Sequence, residues 1–359
     1  MSYDDFPLSL DSNATSQHPT FAISALQADG RARVFLLGAH RSGKSSIEKV
    51  VFHKMSPHET LFLESTRSIG VTDINSNPLV NLQILDFPGG YAFQGVDRVN
   101  SLRSCSAMVL VVDATNGSQA AQDVKYLVGC IEVAHRVNPK ISFEILIHKV
   151  DGDAFPLEEH KLEAQRNTRA RIDSELREAN IQNVHISYHL TSIYDHTIFE
   201  AFSKIYHKML PQFAFLENLL DSLITNSSIE KAFLFDVISK IYICTDSNPV
   251  DMQTYELCSD MIDVVVDISC IYGVPSGVVP ANAGKGSEKL ATDCAFDSAS
   301  TSTIKLSNGH VLVLREVGKY LALVCLMREK SFDKAALVEF NINCFKTALS
   351  HLCEGMAQG

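Results

Sequence analysis

No two of the nine cysteines stand in a C-x-x-C pair, so the spacing most often used for zinc or redox chemistry is missing. Several of them, among them Cys105, Cys244, Cys270 and Cys325, sit inside apolar runs. With the odd total, this reads as buried free thiols in a reducing compartment, not a disulfide frame. No apolar run approaches the ~20 residues that a helix needs to cross a bilayer. A basic surplus is missing too. Lys and Arg number 31 against 42 Asp and Glu, and the net charge of −11 argues against broad attraction to nucleic acid or anionic lipid. The first twenty residues lack the basic start and apolar core of a signal peptide. Ser2 stands where myristoylation needs glycine, and the ending EGMAQG offers no prenylation site. Direct membrane insertion is therefore not expected, and any membrane association is expected to come through a partner. What remains is ordinary globular material: 46% hydrophobic and 20% charged over 359 residues, enough for two cores.

Along the chain the texture changes twice. Residues 1–29 are polar, rich in Ser, Asp and Asn, and are expected to be disordered. From Arg31, short β-branched runs at 34–37, 80–85, 107–114, 143–150 and 184–190 read as strands. Helical patterns at 119–136, 159–179 and 197–209 lie between them. Such alternation predicts βαβ crossovers and a doubly wound, mostly parallel sheet over residues 30–212, with Pro211 closing it. A second block at 228–353 is built differently. KAFLFDV and KIYICTD read as two strands, and Tyr255, Cys258, Ile262, Val265 and Val266 form a helical stripe within 250–271. A Gly-, Ser- and Ala-rich loop follows at 274–302. Three antiparallel strands come next, the first turn made by Asn308 and Gly309, and a helix near 333–352 closes the chain. The order ββα-βββα predicts a smaller α+β domain with helices against one antiparallel sheet.

Four motifs carry chemistry. GAHRSGKSS at 38–46 matches G-x-x-x-x-G-K-[ST] between a strand and a helix. There the backbone amides of Gly38, Arg41, Ser42, Gly43 and Ser46 can wrap phosphates at a positive helix end, Lys44 reaches the outer phosphates, and the Ser45 hydroxyl binds Mg²⁺. Asp86 and Gly89, in LDFPGG about 40 residues later, follow a strand. Asp86 would hold the metal through water, and the Gly89 amide would face the terminal phosphate. HKVD at 148–151 occupies the place of a guanine-reading [N/T]-K-x-D: Asp151 accepts from two ring N–H groups, the Lys149 stem packs on the base, and His148 stands where asparagine is usual. LTSIYD at 190–195 supplies backbone groups near Ser192 and Ile193 for the guanine O6. The order of the four predicts GTP or GDP with Mg²⁺ as the ligands.

The stretches KVVFHKMSPHETLFLEST, HKVD, LTSIYDHTIFEAFSK and IEKAFLFDVISKIYICTDSNPVDMQ resemble the Rag GTPases of the C/D class, counterparts of the yeast Gtr proteins, from about Arg31 to His351. The resemblance implies a P-loop GTPase G domain followed by a roadblock- or longin-like domain. It implies a heterodimer with an A/B-class Rag through that C-terminal domain, and a Ragulator-type scaffold. It also implies raptor of the target-of-rapamycin complex as effector and a folliculin-type activating protein. The expected place is the cytoplasm and, through partners, the lysosomal surface; a nuclear pool is left open. The first switch falls at 55–72, where Thr66 would ligate Mg²⁺ in the GTP state and Thr60 is the nearby competitor.

One expected residue is absent. The glutamine that orients the attacking water in most GTPases would stand at position 90, where this chain has Gly90. The following segment, YAFQGVDRVNSLRSCS, also departs from the C/D pattern, whereas the bulky His40 in the P-loop is in keeping with it. Very slow hydrolysis without an activating protein is the expectation. The alternatives are a nucleotide-binding scaffold that does not cycle, a P-loop kinase or ATPase, and an Arf-like trafficking GTPase. The guanine-reading motif weighs against the second of these and the large C-terminal block against the third.

Overall fold

The structure is a computed structural model that describes residues 31–93, 97–117, 119–272 and 300–358. The expected disorder of 1–29 and the low-complexity loop as far as residue 299 lie outside the described residues.

The first sheet has six strands in the order β2-β3-β1-β4-β5-β6. β1 (Ala32–Gly38), β3 (Val80–Asp86), β4 (Ala107–Asp113), β5 (Ser142–His148) and β6 (Ile186–Thr191) run parallel, and β2 (Gly70–Asn77) lies antiparallel at the edge. The central strands read as nearly unbroken apolar runs because helices cover both faces. Alternation along β1 divides them. Val34 and Leu36 pack with Ile47 and Val51 of α1 (Lys44–His53) and Ile198 and Phe202 of α5 (Thr197–Met209). Phe35 and Leu37 face the other way, with Leu102 of α2 (Asp97–Ser104), Leu127 and Ile131 of α3 (Ala120–Val137), and Ile172 of α4 (Glu158–Glu178). This is the doubly wound G-domain sheet that the sequence predicts. β2 is an addition. Its residues GVTDINSN are rich in types that disfavour strands, and half of them face solvent, so local preference hides a strand that pairing with β3 creates.

The second sheet has five antiparallel strands in the order β8-β7-β11-β10-β9. These are β7 (Lys231–Asp236), β8 (Tyr242–Thr245), β9 (Thr301–Lys305), β10 (His310–Gly318) and β11 (Leu321–Arg328). On one face Phe233, Phe235, Leu312 and Leu314 pack against α7 (Met252–Tyr272) through Tyr255, Cys258, Ile262 and Val265, the stripe read from the sequence. On the other face Leu234, Val311 and Val313 meet α6 (Phe213–Ser227) and, beyond the short turn of α8 (Glu329–Phe332), α9 (Ala335–Gln358). Helices thus cover both faces, and α6, which lies between the two blocks in sequence, is an element the periodicity did not reveal.

α5 joins the two sheets. Its Ser203 hydroxyl accepts from the Tyr242 amide at 3.0 Å, and His207 Nε2 lies 3.1 Å from the Tyr242 carbonyl. At the turn between β2 and β3, Asn77 donates to Asp236 Oδ1 at 2.8 Å. Asp236 is fully buried, and its other oxygen accepts from the Ser239 amide and hydroxyl.

Candidate functional site

The loops at the carboxyl ends of β1, β3, β5 and β6 meet around one cleft of about 640 Å³, the usual place for a ligand in an open α/β sheet. β1 ends at Gly38 and α1 begins at Lys44, so the intervening loop must turn sharply. Arg41 and Gly43 have φ of 61° and 99°, and a Cβ on Gly43 would come within 2.7 Å of the His148 ring. That position therefore needs glycine twice over, for its backbone and for its neighbour. Lys44 is 5% exposed, and its Nζ donates to the carbonyls of Gly38 and Ala39 at 3.2 and 2.8 Å. Burial draws its pKa down to about 8, against the opposing pull of Asp86. Ser42 is buried beneath the loop, and its Oγ lies 3.4 Å from the same ammonium; Arg41 and Ser46 line the cleft.

Beside Lys44, three oxygens from three elements converge. The Ser45 hydroxyl donates to Asp86 Oδ2 at 2.5 Å, and Thr66 Oγ1 lies 2.6 Å from Ser45 Oγ and 3.3 Å from Asp86 Oδ2. Asp86 Oδ1 is buried and has no hydrogen-bond partner. Burial raises the Asp86 pKa, with Ser45 and Lys44 acting the other way. A carboxylate with one unpartnered oxygen, Oδ1, and two hydroxyls gathered at the other, Oδ2, is an oxygen set that suits Mg²⁺. Thr60 reaches the cleft wall, but its hydroxyl donates to the Pro57 carbonyl at 2.7 Å and closes the short 3-10 turn Glu59–Phe62. Of the two threonines, Thr66 is the one that meets Ser45 and Asp86.

The D-x-x-G loop rests on the P-loop. The Phe87 and Gly90 amides donate to the carbonyls of Leu36 and Gly38, each at 3.1 Å, and Gly89 lies so close to His40 that a Cβ would sit 2.6 Å from its Nδ1. Phe87 is anchored among Phe35, Tyr91 and Phe93, with ring centroids 4.9 to 5.6 Å away. The departing segment after Gly90 thus starts from an aromatic cluster whose signal is the spacing of Phe87, Tyr91 and Phe93.

At the end of β5, His148 is 1% exposed, with Nδ1 3.1 Å from Thr191 Oγ1. Burial, and then Lys149, draw its pKa to about 4, so the imidazole is neutral at pH 7. Lys149 donates to the Arg41 carbonyl at 2.7 Å and to Asp113 Oδ2 at 2.6 Å, tying the P-loop to the ends of β4 and β5. Asp113 was not singled out from the sequence, although an aspartate ending a strand is its signal. Burial alone would raise its pKa, but Lys149 and Thr115 hold it low. Asp151 and Ile193 line the cleft. Ser192 is buried beside it, and its amide is already given to Thr197 Oγ1 at 2.9 Å, which leaves Ile193 as the residue of that pair on the cleft wall. Tyr194, also unremarked in the sequence, lines the cleft as well.

The family model described as "Gtr1/RagA G protein conserved region" matches residues 33–262. The mouse and human proteins named Ras-related GTP-binding protein C are each 50% identical over 326 residues, 90% of this chain and 77% of theirs. GTP-binding protein gtr2 of Schizosaccharomyces pombe is 44% identical over 322 residues, 89% of this chain and 97% of its own. Identity at that level across both sheets, together with the family match, places this chain in the Gtr/Rag family of G proteins, whose members are GTPases.

Proposed function

We propose that the chain is a guanine-nucleotide switch, the C/D-class subunit of a Rag-type heterodimer. The observation that carries this is the single cleft where a phosphate-binding loop, a three-oxygen set and the Lys149–Asp151–Ile193 corner face one another. Lys44 would leave the Gly38 and Ala39 carbonyls for the outer phosphates, and the amides of residues 41–46 would take their oxygens. Ser45, Thr66 and Asp86 would hold Mg²⁺, which when bound neutralises charge on the β- and γ-phosphates. Asp151 would accept from the guanine ring N–H groups, and the Ile193 backbone would meet O6.

With no side chain at position 90, the chain does little to position the attacking water, so unaided hydrolysis stays at or below the ~10⁻⁴ s⁻¹ scale of small GTPases. The same absence favours, as a second reading, a subunit that binds nucleotide and does not cycle. Relatives named Ras-related GTP-binding protein A and gtr1, 24% identical over about 65% of this chain, support an A/B-class Rag as the partner. The further reading is a lysosomal role under Ragulator, signalling amino-acid sufficiency through raptor to the target-of-rapamycin kinase, with a folliculin-type protein supplying the missing groups. The test is co-expression with an A/B-class Rag and analysis of the nucleotide released from the purified pair. A pair carrying guanine nucleotide and binding raptor in one nucleotide state supports the switch. A pair that contains none and takes none up defeats it, and equal raptor binding in both states favours the non-cycling reading.

A further inference from the structure

The segment from His58 to Thr66 crosses the mouth of the cleft and is fastened at both ends. At one end Thr66 meets Ser45 and Asp86. At the other, the His58 ring packs on Tyr194, centroids 5.7 Å apart and planes inclined at 59°. Between the ends, the 3-10 turn is held by its own bonds, the Ser56 amide to Glu59 and the Thr60 hydroxyl to Pro57, while Leu61 and Phe62 are 72% and 86% exposed. The crossing segment is therefore pinned to the base side of the cleft through a ring contact.

The two partners of that contact are held differently. Tyr194 stands on a braced loop: its amide donates to Ser192 Oγ at 3.0 Å, Asp195 Oδ1 accepts from the Thr197 amide at 2.9 Å, and His196 Nε2 lies 3.3 Å from Asp260 of α7. The Tyr194 backbone is thus braced on both sides, and the residue is left 49% exposed for the contact with His58. Behind the contact lies a second cleft of about 440 Å³, walled by Pro57 and Tyr194 on one side and by Lys240 and Asp263 of the C-terminal block on the other. Tyr194 lines both clefts, so the ring pair stands where the two adjoin.

The geometry points to the His58–Tyr194 pair as a latch that sets how fast guanine nucleotide leaves, a role that rests on the nucleotide reading of the same cleft. The latch works without touching the phosphates. It holds the crossing segment over the base in either nucleotide state, whereas the Thr66 end is fastened to the metal set. Tyr194 is thus a retention residue and not a catalytic one.

The test is the rate at which the full-length chain releases fluorescent methylanthraniloyl-GDP into excess GDP. An aromatic contact of this kind is worth a modest amount, so Tyr194→Ala and His58→Ala should each speed release about three- to tenfold. The double variant should be no faster than the faster single, because both remove one contact. Tyr194→Phe, which keeps the ring, should restore slow release. Unchanged release in either alanine variant, or a double variant whose acceleration is the product of the singles, overturns the latch. Wild-type chain that takes up no labelled GDP overturns the nucleotide reading itself and the latch with it. Both rings lie at the surface, and an unchanged melting temperature assigns any acceleration to the latch and not to unfolding.

Discussion

Restoring a glutamine at position 90 perturbs two quantities in opposite directions, and the structure separates them. Gly90 has φ of +69°, and a Cβ there meets nothing within 4 Å. Gly90→Gln is therefore sterically open but conformationally strained, since a left-handed backbone costs a residue with a side chain about 1–2 kcal/mol. For a unit of 150–250 residues that corresponds to a melting temperature lower by about 2–8 °C. The strain is present in the ground state and the transition state alike, so it subtracts from stability and leaves the barrier alone. The added amide acts on the barrier. A hydrogen bond to a group bearing charge is worth about 1.5–3 kcal/mol, and each 1.36 kcal/mol is tenfold in rate. Single-turnover GTP hydrolysis should rise at least about tenfold above the wild-type rate, towards the ~10⁻⁴ s⁻¹ intrinsic scale of GTPases that carry the glutamine.

The control is Gly90→Ala, which carries the same backbone strain and no amide. Both variants should lose stability equally, and glutamine alone should gain rate. The assay is release of phosphate from preloaded GTP in the absence of any activating protein, beside a thermal melt of each variant. Equal rates for glutamine and alanine would refute the reasoning that the missing amide limits hydrolysis. A wild-type rate tens of times above the intrinsic scale would refute it sooner.

Asp151→Asn should move binding from guanine towards xanthine nucleotides, because an amide can donate to the xanthine carbonyl; competition of GDP against XDP reads it, and intact GDP preference would remove Asp151 from base reading. Ser45→Asn takes away the hydroxyl that sits 2.5 Å from Asp86, so Mg²⁺-dependent GTP affinity should fall more than GDP affinity, as equilibrium titration in magnesium and in chelator would show. Glu48 of α1 gives a pH prediction. Burial alone would raise its pKa, but bonds from His53, Thr72 and Lys49 outweigh it and draw the value from 4.5 to about 2. A depressed carboxylate contributes stability that is complete above the unfolded pKa and is lost as pH falls from about 4.5 towards 2, here on the order of 3 kcal/mol. Glu48→Gln should cost about that much in urea unfolding at pH 7, with the gap to wild type mostly closed by pH 2.

The site was legible where chemistry is local. The P-loop, Asp86, Gly89, Lys149 and Asp151 each announce themselves through spacing within a few residues, and the structure brings them to one cleft. Position 66 was separable from position 60 by resemblance alone, because both are loop threonines. Geometry divides them by giving Thr60 a turn to close and Thr66 two oxygens to meet. Asp113 escaped notice because its partner Lys149 is 36 residues away, and no local pattern joins a strand-ending aspartate to a later loop. The neutral, buried state of His148 is set first by what packs over it, Gly43 from the P-loop and Thr191 from β6, which no local pattern shows, and only then by the adjacent Lys149.

Two of the elements that the sequence did not reveal, β2 and α6, share a physical cause. β2 is polar enough to read as loop, and it holds because β3 pairs with it and because Asn77 at its end reaches a buried carboxylate 159 residues away. A carboxylate as deeply buried as Asp236 costs several kcal/mol unless its oxygens are bonded. Asn77, Ser239 and the Ser239 amide meet that requirement between the two sheets, so the turn of the first block completes the second. α6 shows the same dependence. Its apolar residues Leu216, Leu220 and Leu223 fall at helical spacing, yet they are buried by Leu234, Val338 and Ile342, all of which come later in the chain. That cluster continues through Ile205 and Phe202 of α5 to Val34 of β1, so one apolar layer runs from the nucleotide sheet into the C-terminal sheet. A reading that ends the first block at residue 212 and begins the second at 228 assigns α6 to neither, whereas the fold packs it on the second sheet through Leu234, Val338 and Ile342.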